Sequence, residues 1–180
     1  MELFRWSLTR LVMMMKINVS NIILITIAFI ASGCVYSFTG GSVPEHIKTL
    51  FITPVEDNSG YGDPLYREEL EIKVTEAFRS DNSFILSEGQ GDAHLSIALS
   101  SINDSPTATG AGEIETERKI TITCSVIYFD NIKQKEIFNK KITKYDVYLL
   151  EEVEINRNRA IFNAIEQVSE DILLAVVSGW

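Results

Sequence analysis

Two amphipathic stripes limit what this chain can fold into. Tyr66, Leu70, Val74, Ala77 and Phe78 recur at helical spacing over residues 64–79, and Ile161, Ile165, Val168, Ile172 and Ala175/Val176 do so over 151–177. Between them the apolar period drops to two. Leu95, Ile97 and Leu99 alternate with His94, Ser96, Ala98 and Ser100, and Ile120, Ile122, Cys124, Val126 and Tyr128 share one face of the clearest strand, 119–130. Two one-sided helices and a block of half-buried strands hide their apolar surface only if both helices lie on one face of a sheet. The expected fold class is α+β: a two-layer sandwich, two amphipathic helices packed on one face of a mostly antiparallel sheet.

Local signals place the boundaries. Ile47–Thr53 reads as a strand between Pro44 and Pro54, and Asp57–Asp63 as turn chemistry. Asp63-Pro64 opens the first helix, with Asp as N-cap and Pro where no amide hydrogen is needed. Ser83–Ser87 is a short strand, Glu88–Asp92 a turn, and 93–102 a longer strand. Residues 103–117 hold Asp104, Ser105, Pro106, Gly110 and Gly112 without apolar pattern, and predict a mobile loop. Asp130-Asn131 turns the chain, 134–145 returns as the partner strand of a hairpin, and Gly179 stops the second helix.

The amino-terminal part follows different rules. The apolar run Ile22–Ala31 is about half the ~20 residues a spanning helix needs. It ends in the small residues Ala31, Ser32 and Gly33 before Cys34, the pattern of a bacterial lipoprotein signal. This reading divides the chain into a signal peptide over 1–33, a lipidated tether over 34–46 and a single sandwich domain over 47–180. The Cys34 thiol would be acylated, and two or more acyl chains are needed for stable anchoring. Met15 followed by Lys16 makes a more compact start than Met1, so translation is expected to begin near Met15. Val35, where an acidic residue would retain a lipoprotein in the inner membrane, points to an outer-membrane anchor facing the periplasm.

Composition excludes several classes. With 16 Lys and Arg against 25 Asp and Glu, the net charge is −9, which argues against a nucleic-acid partner. Cys124, the only cysteine besides Cys34, shares a face with Ile122 and Val126 and reads as a buried apolar residue. No metal-ligand spacing, phosphate loop or Gly-x-Ser-x-Gly elbow occurs, and His46 and His94 read as surface residues. Glu68/Glu69 and Glu151/Glu152 read as solvated faces or ends of helices rather than acid–base pairs. No catalytic residue, metal or cofactor is expected, and the protein is not expected to be an enzyme.

One basic feature stands out in an acidic chain: Lys133, Lys135, Lys140, Lys141 and Lys144 fall in one hairpin. Lysines blunt edge strands against self-association. Clustered ammonium groups also bind phosphates, which makes these five candidate lipid-binding residues.

Taken together, Cys34-Val-Tyr-Ser-Phe-Thr-Gly-Gly-Ser-Val-Pro44, Ile47-Lys-Thr-Leu50, Arg118-Lys-Ile-Thr-Ile-Thr123 and the closing Ala175-Val-Val-Ser-Gly-Trp180 carry a resemblance. They resemble the lipopolysaccharide-assembly lipoprotein (LptE) family, in its Bacteroidetes-type branch. The resemblance implies a helix-on-sheet sandwich anchored in the outer membrane and seated inside an LptD-like β-barrel translocon. It also implies a plug that supports that barrel and binds lipopolysaccharide. Only Cys34 carries over by position. Thr49–Gly60 also looks like the start of periplasmic lipoproteins that activate peptidoglycan synthases or build secretion pores, and this is the alternative reading.

Overall fold

The computed structural model describes residues 43–107 and 115–178. Six strands and two helices follow in the order β1 (Thr49–Ile52), β2 (Glu56–Asp57), α1 (Pro64–Asp81), β3 (Ile85–Ser87), β4 (Ala93–Pro106), β5 (Glu117–Asp130), β6 (Lys135–Leu149) and α2 (Val153–Ser178). The sheet runs β3-β1-β4-β5-β6, with β2 paired to β4. Its β4–β5 and β5–β6 ladders are long and antiparallel, whereas β1–β3, β1–β4 and β2–β4 are short and parallel. α2 lies over β5 and β6, and α1 packs beside α2. This is the expected two-layer α+β sandwich.

The helix ends follow from their residues. Asp63 accepts the Leu65 amide at 3.0 Å, Pro64 takes the first turn, and Asn82 closes α1 in the left-handed region at φ 58°. α1 buries Tyr66, Leu70, Val74 and Phe78. α2 buries Ile161, Ile165, Val168, Ile172 and Val176, the expected stripe, together with Ala160, Ala164 and Ser169. The small residues let the helix approach the sheet, and the Ser169 hydroxyl donates back to the Ile165 carbonyl at 2.8 Å. α2 begins two residues later than expected, because Glu152 adopts φ 46° and forms part of a turn.

The long ladders correct the expected loop. β4 runs on to Pro106 and β5 begins at Glu117, so 103–106 and 117 are strand. A register shift between Leu99 and Ser101 moves the alternation by one residue. Ile102 is then buried, and Asp104 falls on the helix side opposite Ile120, so the pattern of two shifts by one residue and does not stop. Residues 108–114 of that loop lie outside the described residues, as do Cys34, the start region at Met15, Gly179 and Trp180. β6 extends four residues beyond the expected 145, to Leu149, and β2 was not foreseen.

Candidate interaction surface

Three places on the sandwich concentrate polar chemistry. The first lies at the end of the sheet where β4 finishes and β5 starts. The Asp104 carboxylate accepts from Arg118 Nε at 2.7 Å and from the Tyr148 hydroxyl at 2.8 Å, and it pairs with Arg157 Nε at 3.3 Å. Arg118 also donates to Glu115 at 2.9 Å, and Arg157 donates to the Tyr61 hydroxyl. One carboxylate thereby ties β4, β5, β6, α2 and the segment before α1. Burial first, and the hydrogen bond to Asp104 second, push the Tyr148 phenol up to about 12. Sequence reasoning missed this cluster: Asp104 looks solvent-exposed until the register shift puts it on the helix side, where Arg118, Tyr148 and Arg157 meet it.

The second place is the opposite end, where the chain enters. Ile47 donates its amide to the Pro44 carbonyl at 2.8 Å, and His46 Nε2 lies 2.6 Å from Asp130 Oδ2. Asp130 is buried and its other oxygen accepts the Ile132 and Lys133 amides at 2.9 and 2.8 Å. Burial raises the Asp130 carboxyl, but the His46 contact and these two amides outweigh it and hold it below the usual carboxylate range. Its stabilisation is therefore present above that range and fades as acid protonates it. His46 is thus a structural tie. His94 donates to Asn131 Oδ1 at 2.7 Å and stacks on Phe129.

The five lysines are not brought together. Lys144 lies on the helix side and pairs with Asp171 of α2 at 2.8 Å. Lys140 sits 4.5 Å from the Phe138 ring centroid. Lys141, one residue on, falls on the opposite face of the strand. Lys133 and Lys135 line a depression with Pro44, His46, Asp130 and Ile137 near the chain entrance.

The third place is β6 itself. It ends the sheet on the side opposite β3, and among the described residues nothing pairs with its outer edge. A groove of about 340 Å³ runs between its last residues, Asp146–Leu149, and Asn156, Arg159, Ala160 and Asn163 of α2. The sheet face away from the helices carries an exposed column of Tyr145, Val147 and Leu149 on the same strand.

Among the described residues no three His, Cys, Asp or Glu side chains converge as metal ligands. No described helix is long and apolar enough to cross a membrane. Cys124 is fully buried, as expected, and burial pushes its thiol up to about 12. In the native full-length protein at pH 8, Cys124 should stay unmodified by iodoacetamide for hours and react within minutes once denatured. Peptide mass spectrometry reads this directly, and fast native alkylation would contradict the packing.

The architecture defines a small helix-on-sheet domain with one long strand left open. No protein-family model matches the sequence, and no curated protein does. Solved structures do match. A hypothetical protein from Chlamydia trachomatis superposes with a TM-score of 0.55 at 9% identity, covering 72% of this chain and 95% of its own. Rare lipoprotein B from Shewanella oneidensis gives 0.54 at 16% identity, covering 73% and 96%. A minor lipoprotein from Acinetobacter baumannii gives 0.52 at 11%, covering 74% and 94%. At these identities the chain shares their fold.

Proposed function

We propose that this protein is an outer-membrane lipoprotein, acylated at Cys34, that plugs and supports a β-barrel translocon delivering lipopolysaccharide to the cell surface. The observation that carries the reading is the fold shared with rare lipoprotein B, reached after a run ending in Ser32-Gly33-Cys34. Its partners would be an LptD-like barrel, lipopolysaccharide and the membrane that holds the acyl chains. The mechanism is occupancy and binding, with no bond made or broken. A sandwich core closed at one end by Asp104 and at the other by His46–Asp130 supplies the stiffness a plug needs. The phosphate contact proposed for the lysines narrows to Lys133, Lys135 and Lys141, because Lys144 already has Asp171 and Lys140 lies over Phe138.

Affinity purification of the natively lipidated protein from outer membranes tests this reading. A large β-barrel at equal stoichiometry is expected. Cys34→Ser is expected to shift at least nine-tenths of the protein (roughly a tenfold partition change) from the membrane to the soluble fraction. Depletion should lower surface lipopolysaccharide. Recovery of a peptidoglycan synthase in place of a barrel, with surface lipopolysaccharide intact, would select the alternative reading.

A further inference from the structure

The outer edge of β6 is not uniform. Its first ten residues carry Lys135, Lys140, Lys141 and Lys144, the residue type that keeps a bare edge from pairing with other chains. Its last five, Tyr145–Leu149, carry no lysine. Here the exposed side chains are apolar: Tyr145 is 59% exposed, Val147 40% and Leu149 49%.

The backbone of this half is turned outward in a definite way. Leu150 donates its amide to Thr116 at 3.0 Å, and the register pairs Leu149 with Glu117 and Tyr148 with Arg118. Hydrogen-bonded and non-hydrogen-bonded pairs alternate along an antiparallel ladder. Even-numbered residues therefore bond β5, and the amides and carbonyls of Tyr145, Val147 and Leu149 point away from the sheet. Two side chains confirm the direction. Asp146 Oδ1 accepts the Val147 amide at 2.9 Å, and Asn156 Nδ2 reaches the Leu149 carbonyl at 3.5 Å. These are local substitutes for a neighbouring strand. Beyond them lies the groove against α2, where Asn163 donates to Asp146 Oδ2 at 2.8 Å. Arg159 lines the same groove and forms no ion pair among the described residues.

We infer that residues 145–149 are a strand-addition site for an extended segment of a protein partner, seated between the edge of β6 and α2. The occupant's chemistry follows from the two faces of an added strand. Every second side chain continues the Tyr145–Val147–Leu149 column and is apolar. The intervening ones hang over the groove, where Arg159 and the amides of Asn156 and Asn163 fit polar or carboxylate groups. The added backbone replaces the Asp146 and Asn156 contacts. This inference deepens the reading of the protein as an envelope docking partner and rests on it.

The test is photocrosslinking in cells with the full-length lipidated protein. p-Benzoylphenylalanine replaces Val147 or Leu149 in turn, and Ile72 of α1 or Leu174 of α2 as exposed helix controls. Val147 and Leu149 are expected to cross-link to one segment of a β-barrel protein at sites two residues apart. Cross-links to the barrel from the helix controls alone overturn the edge site and leave the proposed function standing. No cross-link to any barrel from any position overturns both. Lipid adducts at 147 and 149 overturn the edge site. In parallel, Val147→Pro removes an amide that β5 does not use, so the sheet tolerates it. It is expected to cut the co-purified barrel at least tenfold (on the order of a blocked ladder), whereas Val147→Ala keeps it within about twofold. Equal recovery from both variants overturns the inference.

Discussion

Phe78→Ala is expected to lower the unfolding free energy by about 4 kcal/mol, the cost of emptying a ring-sized site in a core that only partly collapses. Phe78 is 1% exposed, stands at the last buried turn of α1 and meets the Phe84 ring at 6.2 Å between centroids. For a domain of this size the melting temperature should fall by roughly 12–16 °C. The comparison that makes the result specific is Ile72→Ala on the same helix. Ile72 is half exposed, and its loss should cost no more than about 0.5 kcal/mol. Denaturant titration of both variants checks the face as well as the magnitude. Similar losses for the two would mean that α1 does not present the Tyr66–Phe78 stripe to the core.

Asp104→Ala should cost about 3 kcal/mol, the next largest effect. The substitution leaves the Tyr148 hydroxyl without its acceptor in a nearly closed site, and it releases two arginines from one shared carboxylate. Asp104→Asn keeps an acceptor for Tyr148 and should cost about half as much. A second readout separates this network from generic damage. The Tyr148 phenol is held up to about 12 by burial and Asp104. A raised phenol stabilises the folded state below its ordinary value near 10 and loses that contribution as pH rises towards 12. Burial also raises the phenols of Tyr128 and Tyr66. Spectrophotometric titration of the native protein should therefore show several late tyrosines, of which Asp104→Ala should bring one earlier and leave the others in place. An unchanged alkaline limb would remove Tyr148 from the network.

Much of this architecture was legible because apolar periodicity is a direct consequence of burial on one side. The α1 stripe from Tyr66 to Phe78 and the α2 stripe from Ile161 to Val176 turned out as read, and so did the Asp63-Pro64 start. What was not legible has one physical origin in β4. A bulge adds a residue without any change of composition, so 103–106 looked like the beginning of a loop. The same bulge hid the Asp104 cluster, whose other members lie 14, 44 and 53 positions from it in sequence and meet it only across four elements. The distribution of the hairpin lysines was hidden in a different way. A strand sends neighbours to opposite faces, so Lys140 and Lys141 are adjacent in the chain yet point apart. The open half of β6 was invisible for another reason: the lysines of 135–144 signal an edge strand, but they stop before Tyr145–Leu149, and 146–149 lay beyond the expected end of the strand.

The way the chain enters the sheet also has a mechanical consequence. β1 lies between β3 and β4, parallel to both, and its first residues are clamped at Asp92, whose carboxylate accepts the Lys48 and Thr49 amides at 2.9 Å each. Its hydrogen bonds lie across the strand. A tug on residues ahead of Val43 along the strand axis loads both ladders and the Asp92 clamp in shear, so they must yield together. Pulling from that side meets a resistance that peeling the strand sideways would not.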